Sequence, residues 1–195
     1  MDFQSYFDQF NSKRILVIGD VMIDAYIRGK VSRMSPEAPV PIVSLDQRED
    51  RLGGAGNVAL NLAALGASPI LCSVVGNDQQ ADLLRRLLKE NSISGEGIVE
   101  SNARKTTVKT RVIGNNQQLL RVDSEQTDPI TADEENELIN TAATLIETGV
   151  DAVIFEDYNK GVLTPRVIEA IVSIANQHKV ITAVDPKKDN FFAYR

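Results

Sequence analysis

Apolar residues along this chain follow two rhythms. Short unbroken runs, Ile15 to Ile18 ahead of Gly19, Pro69 to Val75, Ala152 to Phe155 and Val180 to Val184, have the length and two-sided apolarity of strands sandwiched between helices. Between them, Leu83, Leu84, Leu87 and Leu88, and later Leu138, Ile139, Ala142, Leu145 and Ile146, recur at the three- and four-residue spacing of a helix with one buried face. The starts of the helices are marked: Asp78 is placed as an N-cap, Thr131 with Glu134 has the form of a capping box, and Thr164-Pro165 supplies an N-cap and a first-turn proline. Alternation of strand and helix predicts an α/β domain with a mostly parallel central sheet flanked by helices, whose loops after the strands gather along one edge.

Two stretches break the rhythm. Thr107 to Ile113 and Gln117 to Val122 are β-rich runs around Gly114-Asn115-Asn116, which reads as a hairpin. Ala38 to Val43 alternates but carries prolines that a central strand would not tolerate, so an edge strand or flap is expected there. Together the segments of about 25–45 and 104–123 are expected to form a small β lid inserted within the domain.

Composition narrows the class. A chain of 195 residues, 43% hydrophobic and 25% charged, can bury one sizeable core. Its net charge of -6 argues against nucleic acid or an anionic membrane as partner, so neither is expected. The first residues lack the basic start and apolar core of a signal peptide, and no apolar run reaches membrane-spanning length; a cytoplasmic location is the expectation. The single cysteine, Cys72, lies within an apolar run and is read as a buried thiol, and His178 as exposed. No Cys/His cluster has metal-ligand spacing, so no metal residue is assigned.

The candidate chemistry centres on Leu52 to Gly66. Gly53, Gly54 and Gly56 run into a helix rich in small residues, with Gly66 as its left-handed stop. Glycines at a helix start let a polar ligand approach backbone N–H groups, and Asn57 adds a donor and an acceptor suited to hydroxyls or a phosphate. The same glycines also fit a simple tight turn. Gly54 to Ala59 further matches a dinucleotide pattern, with Asp78 where a ribose-binding acid would stand, but the charged stretch Asp46 to Arg51 occupies the place of the apolar strand that pattern needs. Other polar groups follow strand ends: Asp20 and Asp24, then Asp157 and Lys160, then Asp185 and Lys187. The aspartates could equally be turn or cap residues. On the hairpin, Lys109, Arg111 and Arg121 are phosphate-binding candidates or solvated surface charges. Short polar groups beside several cations describe a pocket for a phosphorylated polyol.

Gly53-Gly54-Ala55-Gly56-Asn57 with its helix, and Gly19-Asp20-Val21-Met22-Ile23-Asp24, resemble motifs of the ribokinase-like carbohydrate kinase family. Ser32 to Pro41, Asn116 to Arg121, Asp157 to Gly161 and Val184 to Lys187 are similar to the branch acting on D-glycero-β-D-manno-heptose 7-phosphate, and the likeness runs from Ile15 to Tyr194. The resemblance implies a phosphotransferase of ADP-heptose and lipopolysaccharide core biosynthesis, moving the γ-phosphoryl group of ATP, with Mg²⁺, to the anomeric hydroxyl of that sugar. It implies that Asp24, Gly53, Gly54 and Asn57 hold sugar hydroxyls. It also implies that Asp157, Lys160, Asp185 and Lys187 serve substrate or phosphate binding, beside Lys109 and Arg111 as the hairpin's candidates, and that two copies pair through the lid. The family's Asn-x-x-Glu and Gly-Ala-Gly-Asp motifs for Mg²⁺, nucleotide and base do not occur here. Gly54-Ala55-Gly56-Asn57 imitates the second, but an amide cannot accept the proton a carboxylate would. No catalytic residue is therefore assigned. The expectation is that residues 1–195 are the amino-terminal, sugar-binding portion of a kinase domain, inactive alone, with a non-catalytic sugar-phosphate-binding module or a nicotinamide-binding domain as alternatives.

Overall fold

The computed structural model describes residues 3–194. After α1 (Phe3–Asp8), five strands form one wholly parallel sheet: β1 (Arg14–Gly19), β4 (Ser68–Gly76), β5 (Ser94–Ser101), β8 (Ala152–Glu156) and β9 (Ile181–Asp185), in the order β5-β4-β1-β8-β9. The remaining strands, β2 (Val21–Met34), β3 (Pro41–Gly54), β6 (Val108–Gly114) and β7 (Gln117–Ser124), make a second, mixed sheet in the order β3-β2-β6-β7. Helices α2 (Ala55–Ala64) and α3 (Gln79–Glu90) pack on one face of the parallel sheet, α4 (Ala132–Glu147) and α5 (Pro165–Gln177) on the other.

The alternation within β1 shows why the sheet is apolar on both sides. Leu16 and Ile18 point into the cluster built with Leu138, Ile146, Ile168 and Ile171, while Val17 joins Leu71, Val75 and Leu84 on the opposite face. Helix starts use the expected side chains. Asp78 accepts from the N–H groups of Gln80 and Ala81, Thr131 and Glu134 form a reciprocal capping box, and the Thr164 hydroxyl accepts from Val167. Gly66 has a φ of +95°, and Asn115 and Asn116 turn the β6–β7 hairpin with φ of +51° and +64°.

Two strands, β5 and β3, differ from the sequence-based expectation. β5 went unread because Ser94-Gly95-Glu96-Gly97 has neither apolar run nor clean alternation. Its glycine is a packing device: a Cβ on Gly97 would lie 2.7 Å from the Leu71 carbonyl oxygen of β4. Asp46 to Arg51, noted only as a charged stretch, lies within β3, charged because it belongs to an antiparallel ribbon with β2 outside the main core. β3 continues through Gly53 and Gly54, so the glycine pair ends a strand and α2 begins at the next residue.

Cys72 is fully buried in β4, and burial pushes its thiol up to about 12. The native protein should therefore resist a thiol-specific reagent at mildly alkaline pH and react fully once denatured. Rapid labelling of native protein would show that β4 is not closed in. β9 is an edge of the sheet; Ile181 is 72% exposed and Val184 38% exposed. Among the described residues, no helix is long and apolar enough to cross a membrane.

Candidate functional site

The site forms where the second sheet meets the carboxyl end of β1 and the loop after β8: β2 starts one residue beyond β1, and Glu125, just after β7, reaches Lys160. Period-two geometry sends Ile23 and Ala25 of β2 inward and leaves Asp24, Tyr26 and Arg28 on the opposite face. Register then assembles two charged rows across that face. Arg51, Asp24, Lys109 and Asp123 make one, and Glu49, Tyr26, Arg111 and Arg121 the other. Arg111 Nη1 donates to Asp24 Oδ1 at 2.5 Å, and Lys109 Nζ pairs with Asp123 and Glu125 at 2.9 Å each. Glu125 also accepts from Lys160 Nζ at 2.8 Å, tying the second sheet to the loop after β8. That contact with Lys160, the strongest influence, and the second with Lys109 hold the Glu125 carboxyl below its ordinary range.

The glycine pair is shaped around two aspartates. A Cβ on Gly53 would lie 2.5 Å from Asp24 Oδ2, and one on Gly54, at φ +57°, would lie 2.3 Å from the Asp20 carbonyl oxygen. Both glycines are buried. The space they leave is taken by the protein's own groups, where the sequence suggested an open approach for a ligand. The N–H of Ala55 donates to Asp20 O at 3.0 Å, and no side chain caps α2. Asn57, in the first turn of α2, is exposed in a groove that Arg51 also lines, and Arg51 stands across the ribbon from Asp24.

Asp20 and Asp157 face inward instead of lining the pocket. Asp20 is 1% exposed, and its carboxylate accepts from the backbone N–H groups of Tyr158, Lys160 and Val162 at 2.8, 3.1 and 3.2 Å. Burial, opposed by these bonds, raises its pKa above the ordinary value. Asp157 is fully buried and accepts from Asn159 N, Asn190 Nδ2 and Tyr194 Oη at 2.8 to 3.0 Å. Both carboxylates shape the loop over 157–162. Asp78, the ribose acid of the dinucleotide pattern, accepts from Thr106 N at 2.9 Å in addition to its cap bonds. The pattern itself follows an antiparallel strand of the second sheet, so no βαβ dinucleotide unit exists here.

The structure adds residues that the motifs did not identify. Tyr158 follows β8: its phenol lies in the fields of Glu156, Asp185 and Asp24, and Lys187 Nζ is 4.5 Å from its ring centroid. Burial and then the Glu156 charge push the phenol up, while burial and then Asp185 raise Glu156. Asp185 is exposed at the end of β9. Tyr26 is ringed by Arg51, Arg111 and Arg28, with guanidinium carbons 5.2, 5.3 and 5.5 Å from its centroid. The period-two spacing of Asp24, Tyr26 and Arg28 was the available signal, obscured by reading the segment from residue 25 onward as a flap.

A sequence model for the pfkB family carbohydrate kinases matches residues 12–194. A protein of Citrifermentans bemidjiense named Bifunctional protein HldE is 43% identical over 98% of this chain, and one of the same name from Helicobacter pylori is 44% identical over 93%. The chain spans 39% of the length of each. Among solved structures, a putative phosphofructokinase from Staphylococcus aureus shares the fold at a TM-score of 0.72 and 14% identity, over 93% of this chain and 55% of that one. Arabidopsis thaliana ribokinase, complexed with ribose and ATP, does so at 0.61 and 12% identity, over 89% of this chain and 53% of its own.

Proposed function

Because this chain belongs to the pfkB family of carbohydrate kinases, we propose that it is the sugar-binding portion of a kinase for D-glycero-β-D-manno-heptose 7-phosphate, with its ligand held where Asp24 meets Gly53. The observation that carries this reading is the Asp24 carboxylate, packed against a glycine that leaves it room and braced by Arg111. A fixed carboxylate accepts hydrogen bonds from adjacent sugar hydroxyls, and charge-assisted bonds of this kind are the strong ones. Lys109 and Lys160, paired with Asp123 and Glu125, stand in the proposed surroundings together with Lys187, Gly54, Asn57, Arg111 and Asp185. Support for the heptose comes from the sequence likeness of Ser32 to Pro41 and Asp157 to Gly161.

Kinases of this family use ATP and a divalent metal. The described residues do not fit either group: none of them form a cluster of three or more His, Cys, Asp or Glu side chains able to hold a metal. Gly54-Ala55-Gly56-Asn57 is packed under the Asp20 carbonyl and ends in an amide. No phosphoryl-transfer step is assigned to these residues. The 195-residue chain is therefore expected to bind heptose 7-phosphate in calorimetry and to gain thermal stability from it, without turning over ATP and the sugar. Stabilisation by NAD in place of the sugar phosphate would overturn the carbohydrate reading; turnover would overturn the claim that this portion lacks catalysis.

The second sheet is proposed to cover the site with its charged face and to join a second copy with the other. That apolar face begins with the buried Ile23 and Ala25; farther along, Ile27, Val112 and Leu120 share one row of it and Val122 lies in the row of Ala25, with Leu120 and Val122 more than half exposed. Sedimentation should show a dimer that Leu120→Arg converts to a monomer. An unchanged mass for the variant would remove the interface from this face.

A further inference from the structure

We propose that Arg28 and Arg51, stacked with Arg111 around the ring of Tyr26, form a subsite for the phosphate ester of a sugar phosphate whose hydroxyls are held at Asp24. The inference deepens the sugar reading and rests on it for the ligand class. Planar guanidinium groups gathered on one aromatic ring are held with their N–H edges oriented, and such forks match phosphate oxygens bidentately. The guanidinium carbons of all three lie within 5.5 Å of the same centroid.

Charge balance points the same way. Arg111 is paired with Asp24 and Arg51 with Glu49, at 2.5 and 2.6 Å, whereas Arg28 only feels Glu49 at longer range and has no ion-pair partner among the described residues. Three guanidiniums against two carboxylates leave a local positive excess on a chain whose net charge is -6. Cation–π attraction at a partly buried ring is of the same order as the mutual repulsion of the three cations, so stabilisation of the sheet does not by itself account for the cluster. An anion bound over Tyr26 removes the repulsion. Alternate positions of a strand are about 7 Å apart. An anion over the Tyr26 row therefore lies one sugar's length from the Asp24 row, on the same face of β2.

The test measures binding of three probes, heptose 7-phosphate, the unphosphorylated heptose and inorganic phosphate, to the 195-residue chain and to Arg28→Gln and Arg51→Gln, with melting temperatures as the check on folding. Each variant is expected to weaken heptose 7-phosphate about 10- to 100-fold, as for loss of a charged hydrogen-bonding partner, and to leave the unphosphorylated heptose unchanged. Equal weakening of both sugars, or of neither, in folded variants would overturn the subsite. If the unaltered chain binds neither sugar, the carbohydrate reading fails and inorganic phosphate decides. Saturable binding lost in Arg28→Gln then supports the anion subsite, and absence of binding overturns it. Should one variant fail to fold, the other gives the same comparison.

Discussion

Replacing Asp20 by alanine is expected to remove about 3–5 kcal/mol of folding stability, because three backbone donors lose one shared acceptor at about 1–3 kcal/mol for each donor left unsatisfied. The Asp20 carboxylate is the shared acceptor for Tyr158 N, Lys160 N and Val162 N. Without it three buried or half-buried donors face a void, and the loop linking β8 to α5 loses its anchor. A domain stable by roughly 5–15 kcal/mol would lose a large part of that margin, which denaturant titration reads directly. pH gives a separate signature. Burial sets the native pKa of Asp20 above its ordinary value of 3.8, so the native state holds this proton at a pH where the unfolded chain has released it. This group's contribution to stability is full below the ordinary value and declines as pH rises through the native one. Asp20→Asn removes that decline. A stability loss under about 1 kcal/mol for Asp20→Ala would mean that the loop finds other acceptors.

Asp24 should behave in the opposite way. Asp24→Asn is expected to weaken heptose 7-phosphate binding about 10- to 100-fold, as for losing charged hydrogen bonds worth about 1.5–3 kcal/mol. Its effect on folding should stay within about 1 kcal/mol, because the pair with Arg111 is partly solvated; the side chains of Arg111 and Asp24 are 23% and 22% exposed. Gly53→Ala tests the same geometry without touching charge. Its added methyl group would lie 2.5 Å from Asp24 Oδ2, so the carboxylate must move and affinity should fall with it. Calorimetry alongside thermal melting separates the two effects. Full affinity in both variants would move the sugar away from Asp24.

The contrast between these aspartates explains how much of the site was legible. Both follow the first apolar run, and both looked like substrate ligands. Nothing in Gly19-Asp20-Val21-Met22-Ile23-Asp24 tells that Asp20 turns under the loop after β8, more than 130 residues away, because an acceptor is assigned by whichever donors the fold brings near. Asp157 shows the same ambiguity, its carboxylate engaged by Asn159, Asn190 and Tyr194. Arg28 and Arg51 were passed over for the converse reason: charges on a ribbon are usually solvated, and only the pairing of β2 with β3 and β6 gathers three of them on Tyr26.

By itself the sequence determined the alternating strands and helices, the caps at Asp78, Thr131 and Thr164, the hairpin at Asn115-Asn116 and the family, since each is written in local spacing or in a short motif. The tertiary structure decided the strand order, the extension of β3 through the glycine pair, and which carboxylates face a pocket and which are consumed within the protein. Local patterns are fixed by backbone geometry over a few residues, whereas a side chain's partner depends on register between distant segments, and a change of one residue in that register turns it to the opposite face.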